Sequence, residues 1–181
     1  MAIIYDATLR PDKTALLTAW LDRHSWGGSG EIEQIGSYRY DDPEDEVGLE
    51  GFILRRDGRV LHVPVTYRGA PLEEAEEALV GTTDHSVLGD RWVYDAVADP
   101  VGRELLMRAL HGEQDQAELH LYTEDCQFIE TAENTVRVSV TGTPDGHQAL
   151  ATVHEPQSEP TSAGRALVAS WPGGEGVLFR G

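Results

Sequence analysis

The sequence predicts an α+β fold with mostly antiparallel sheets and two or three helices. Three observations carry that expectation. Two helix starts, Pro11-Asp12 and Asp99-Pro100, each precede apolar residues at helical spacing. The segments between them alternate apolar and polar residues and are divided by turn residues, Asp57-Gly58 above all. After Gln116 the helical period disappears and short strand-like runs take over.

Ala2 to Leu9 opens on an apolar run and reads as a strand. Pro11-Asp12 then begins a helix, with Pro11 fixing φ in the first turn and Ala15, Leu16, Ala19 and Trp20 forming its apolar face. It should end near His24, before Gly27-Gly28-Ser29-Gly30. A strand carrying Ile32, Ile35 and Tyr38 follows, closed by the acidic turn from Asp41 to Glu46. Val47–Arg56 and Val60–Tyr67 flank Asp57-Gly58 as a hairpin. Pro64 lacks an amide donor, which suggests an edge position or a bulge. Leu72 to Val80 is expected as a short acidic helix ended by Gly81, and Arg91 to Val97 as a strand.

Asp99 caps the next helix, Pro100 takes its first position, and Gly112 ends it. Val101, Leu105, Leu106, Ala109 and Leu110 form its apolar face, and Trp92 is expected beneath them in the core. Beyond Gln116, strands are expected at 117–122, 127–130, 135–141, 148–154, 166–171 and 177–180. Pro144-Asp145-Gly146 reads as a turn, and Glu155 to Gly164 as a mobile loop. The 181 residues divide into a first subdomain at 1–97 and a helix-plus-β subdomain at 98–181 sharing one core.

The formal net charge of −18 repels phosphate backbones and anionic lipid, so neither nucleic acid nor membrane is expected as a partner. Lys13 is the only lysine, which removes most lysine chemistry. One cysteine, Cys126, cannot form an internal disulfide. No signal-peptide pattern opens the chain, and no run approaches the ~20 apolar residues of a membrane span, so a cytoplasmic protein is expected.

The segments IGSYRYDDPEDEVGLEGFIL and VLHVPVTYRGAPLEEAEEALVGTTDHSVLGDRWVYDAVADPV, with the opening strand and helix, resemble the N-terminal cap of actinobacterial maltokinases across residues 1–112. The resemblance implies a cystatin-like arrangement: a helix packed on a curved antiparallel sheet, followed here by a second, mostly antiparallel β region. Maltokinases carry their catalytic Asp and metal-binding Asn and Asp in a downstream lobe, and no residue here maps onto those. The resemblance therefore implies a non-catalytic cap or interaction module. It would act with a separate protein partner, such as a sugar kinase, in α-glucan, maltose or trehalose metabolism.

The alternative is a small-molecule binding protein for a sugar or sugar phosphate, or an enzyme of unknown class, using the concave sheet face. Tyr67, His85, Trp92 and Asp95 are its candidate ligand-binding residues. Aromatic Tyr67, Trp92 and Tyr94 could offer a platform to a sugar ring, though such residues more often fill cores. A deep cleft with convergent polar groups would favour this alternative; a filled core would favour the interaction module. No catalytic residue, cofactor or metal site is expected. His62 and His85 could approach in space, but lack the spacing of a helical zinc pair. Asp84-His85-Ser86 has the residue types of a hydrolytic triad, yet a triad converges from separate elements. Gly173-Gly174-Glu175-Gly176 reads as a hairpin turn, and Cys126, beside Glu124 and Asp125, as inert.

Overall fold

The computed structural model describes residues 2–44, 46–143, 150–158 and 164–181. It is an α+β protein with two α-helices among the described residues and mostly antiparallel sheets. The strands are β1 (Ala2–Tyr5), β2 (Leu9–Arg10), β3 (Glu33–Asp41), β4 (Val47–Arg56), β5 (Arg59–Arg68), β6 (Leu79–His85) and β7 (Gly89–Asp95), then β8 (Leu119–Tyr122), β9 (Phe128–Ala132), β10 (Arg137–Gly142), β11 (Ala151–Thr152), β12 (Arg165–Trp171) and β13 (Gly174–Arg180). Helix α1 spans Lys13–Asp22 and α2 spans Pro100–His111. The largest sheet has six strands in the order β2-β6-β7-β5-β4-β3. A second has β10-β12-β13-β11, and a third β1-β8-β9, where the β1–β8 pair is parallel.

Both helix starts form as capped ends, with one shift. Asp12, not Pro11, terminates α1: its carboxylate accepts from the Ala15 amide at 2.8 Å, so Pro11 lies outside the helix. The buried face is Leu16, Leu17, Trp20 and Leu21, while Ala15 and Ala19 are exposed. At α2, Asp99 accepts from the Val101 and Gly102 amides, Pro100 begins the helix, and Gly112 ends it at φ 75°. Asp99 is also fully buried and takes a two-pronged bond from Arg68, at 2.6 and 2.7 Å, and a third from Thr66. Burial pushes its carboxyl up, but the Arg68 and Thr66 bonds outweigh that and hold it below the usual carboxylate range.

The β4–β5 hairpin turns at Asp57 and Gly58, which both have positive φ, and its register runs from Arg56↔Arg59 to Val47↔Arg68. Beside Val65 to Arg68 lies β7. Beyond that point the segment around Val153 takes its place, with the His62 amide donating to the His154 carbonyl. Pro64 sits at this handover. Its carbonyl accepts from Ala96 on the same side, so the missing amide faces the gap between two neighbours rather than a continuous ladder.

Two expectations are corrected. Leu72 to Val80 is not a helix: only Glu76–Ala78 makes a 3-10 turn, and Leu79 already belongs to β6, paired with Tyr94. The acidic run has no buried face, whereas pairing along β7 satisfies the backbone through His85. Trp92 is half-buried and lies outside both core clusters. The surface beneath α2 comes instead from Tyr38, Tyr40, Leu49 and Ile53, joined by Leu167, Leu178 and Phe179.

Those residues form the core on one face of the six-stranded sheet, drawn from both sides of residue 97. On the opposite face, α1 covers Phe52, Leu54, Leu61, Val63, Val65 and Val93. Because β4 is covered on both sides, its sequence VGLEGFIL reads as nearly continuous apolar residues, with one carboxylate in the middle. The turn expected at Pro144-Asp145-Gly146 lies outside the described residues, as does part of the loop from Glu155 to Gly164.

Candidate functional site

Past the first turn of α1 the apolar core on that sheet face gives way to a cleft of about 350 Å³. Ile3, Ile4, Tyr5 and Leu9 wall it from β1 and β2, and Leu88 from the β6–β7 turn. Lys13 on α1, Arg39 on β3, Tyr67 on β5, Thr83 and His85 on β6, and Arg91 on β7 line it, as do the carboxylates Asp41 on β3 and Glu46 in the β3–β4 connection. A larger depression of about 540 Å³ over β10, β12 and β13 has, among the described residues, Glu175 as its only titratable lining group. The α1-side cleft is therefore the better candidate.

Glu50 organises its base. The residue is 4% exposed, and its Oε2 accepts from Lys13 Nζ at 2.7 Å, Arg39 Nη2 at 3.0 Å and Tyr67 Oη at 3.1 Å. Burial pushes the Glu50 carboxyl up, but the Arg39 and Lys13 cations outweigh it and hold the pKa at about 2. Burial, and then the Glu50 carboxylate, push the Tyr67 phenol well above its ordinary value, so it remains a donor. Lys13 Nζ also lies 5.5 Å from the Phe52 ring centre and 5.8 Å from that of Tyr67. The only lysine of the chain thus sits against a buried carboxylate and two rings.

At the β6–β7 end, His85 Nδ1 accepts from the Val87 and Leu88 amides, both at 3.2 Å. Burial, then Arg91, Lys13 and Arg39, lower its pKa, so the ring is neutral near pH 7 and carries its proton on Nε2. Thr83 Oγ1 donates to the Pro11 carbonyl at 2.7 Å and ties β6 to the start of α1.

The structure brings Tyr67 and His85 into the cleft but leaves Trp92 and Asp95 off its lining. Residues paired across strands share a face. Tyr67 pairs with Val93 on the α1 side, whereas Trp92 pairs with Arg68 on the other, so the imagined aromatic platform is divided by the sheet. Asp95 accepts from the Val97 and Ala98 amides and shapes the turn into α2. His62 and His85 are likewise separated, with His62 against Tyr38 and Phe179 in the α2-side core. Ser86 Oγ donates to Glu124 and accepts from the Thr8 amide, so it is a loop tie rather than a partner of His85. The hairpin expected at Gly173-Gly174-Glu175-Gly176 forms, but its turn is Pro172-Gly173, and Gly174, Glu175 and Gly176 already belong to β13, paired with Trp171, Ser170 and Ala169. Among the described residues no group of three or more His, Cys, Asp or Glu side chains is placed to hold a metal ion.

Lys13, Arg39, Glu50 and Arg91 were not singled out from sequence. One signal was available: Glu50 interrupts an otherwise apolar strand, and a carboxylate at an inward position needs cations.

The fold and cleft define a mixed α+β module with a charged recess on the helix-covered face of its main sheet. Residues 20–99 match the family model for the maltokinase N-terminal cap domain, so this part of the chain is similar to those caps. That stretch covers the last turn of α1 and all of β3 to β7, and ends at the cap of α2. It includes Arg39, Glu50, Tyr67, Thr83, His85 and Arg91, whereas Lys13 and the β1–β2 wall lie before it. No curated protein and no solved structure matches the chain.

Proposed function

We propose that this chain is a non-catalytic, cap-type binding module whose cleft takes a small polar molecule of the sugar or sugar-phosphate class. The observation that carries this is the convergence of Lys13, Arg39, Tyr67, His85 and Arg91 on one recess of about 350 Å³. That volume lies near the lower end of the ~300–1,000 Å³ range of ligand sites and suits a molecule of monosaccharide size. The cleft has donors at its base, apolar walls and a tyrosine ring, as a hydroxylated ring requires. In this reading α1 is cradled by the sheet in a cystatin-like manner, and Trp92 and Asp95 take no part. The protein acts in the cytoplasm.

A second reading, an interface for a separate protein of α-glucan or trehalose metabolism, is favoured by the family match over residues 20–99. The two are separated by titration calorimetry with monosaccharides and their phosphates, run on wild type and Tyr67→Ala. Saturable binding lost in the variant supports the cleft reading; no heat from any sugar at millimolar concentration sinks it. Incubation with ATP, Mg²⁺ and maltose tests the non-catalytic part, which robust phosphorylation of the sugar would overturn.

A further inference from the structure

We propose that the ligand of the cleft carries an anionic group, a phosphate ester or a carboxylate, and that Arg91 is the residue that seats it. This rests on the cleft being a small-molecule site.

The chain has 14 basic residues against 32 acidic ones, yet three of the 14 line this one recess. They are not equivalent. Lys13 and Arg39 share the buried Glu50 carboxylate at 2.7 and 3.0 Å, so both already have a counter-ion. Arg91 is half-buried, and its guanidinium donates to the neighbouring Asp90 carbonyl at 3.3 Å. Among the described residues it has no ion-pair partner. Asp41 and Glu46 line the cleft from β3 and the β3–β4 connection, on the far side of β5 and β4 from Arg91.

Arg91 is held where an incoming group can reach it. Its register partner on β6 is Thr83, and His85 lies two residues further along the same face. Gly69 leaves open the space the guanidinium uses: a Cβ there would stand 2.9 Å from Arg91 Nη1. Burial is the main cause of the lowered His85 basicity, and the Arg91, Lys13 and Arg39 cations add to it. A half-buried guanidinium with unused donors, beside a neutral imidazole with a free N–H, matches a carboxylate or phosphate oxygen set. A neutral sugar would leave that charge uncompensated.

The test is calorimetric titration of wild type, Arg91→Gln and Arg91→Lys with glucose, glucose 6-phosphate, glucuronate and inorganic phosphate. Circular dichroism confirms that the variants are folded. The expected result is that one anionic sugar binds wild type at least about tenfold more tightly than glucose, as for a charge-assisted bond. Whether that sugar is glucose 6-phosphate or glucuronate names the anionic group. Arg91→Gln should bring it to within about threefold of glucose, and Arg91→Lys should keep most of the preference, weakening with added salt. Equal binding of neutral and anionic sugars overturns the proposal and leaves the cleft reading standing. So does a preference that survives in Arg91→Gln. Inorganic phosphate matching the sugar phosphate would also overturn it, since the sugar body would then contribute nothing. Absence of binding by every probe overturns both.

Discussion

Acidification from about pH 6.5 to about pH 4 is expected to cost the folded protein about 3 kcal/mol through His62 alone. The side chain is fully buried, accepts from Tyr38 Oη at 2.9 Å through Nε2, and donates from Nδ1 to the Val153 carbonyl at 3.3 Å. Phe179 meets its ring edge-on at 5.0 Å. Burial is the main reason its pKa falls from 6.5 to about 3; His154 adds to the fall and the Val153 bond opposes it. Between those two values the unfolded chain binds a proton that the folded protein refuses. Stability is therefore full above the unfolded pKa and declines as pH falls toward the folded one, by about 1.4 kcal/mol per pH unit. Urea midpoints for wild type and His62→Gln, measured at several pH values across this range, isolate the effect. The amide of Gln can still meet Val153 and Tyr38 but does not titrate. His85 and His154, whose pKa values are also lowered, remain in both proteins and cancel. The same pH slope in the variant and the wild type would refute the assignment.

Glu50→Gln should lose about 2–3 kcal/mol at neutral pH, below the usual cost of breaking a buried pair because Lys13 is 33% exposed. In wild type this contribution should persist until pH drops below about 4.5 and vanish toward about pH 2, since the folded carboxyl is the stronger acid. A change under ~0.5 kcal/mol in denaturant unfolding would show that the pair is energetically idle. Trp92→Ala should cost only about 1–2 kcal/mol, against about 3–5 kcal/mol for the fully buried Phe179→Ala; equal losses would place Trp92 in the core after all. Gly51→Ala should yield little folded protein, because its Cβ would stand 2.0 Å from the Tyr38 ring beside His62; a thermal midpoint like that of wild type would contradict the packing.

Features decided by a few neighbouring residues were legible in the sequence. Asp57-Gly58 supplies two positive-φ positions and so a hairpin, and Asp99-Pro100 with Gly112 brackets a helix by cap chemistry alone. The resemblance to the maltokinase cap could also be read from residue order and spacing, and the family match bears it out. Tertiary structure decided the rest. Leu79 to His85 became a strand because β7 offered a hydrogen-bonding partner, a gain no local propensity records. Trp92 and Tyr67, both attractive as ligand residues, were sent to opposite faces by register. The cleft depends on Lys13, Arg39 and Glu50 meeting from α1, β3 and β4, the lysine 37 residues from the carboxylate. A buried carboxylate announces that it needs cations, but which cations reach it is set by where the sheet and helix place them in space.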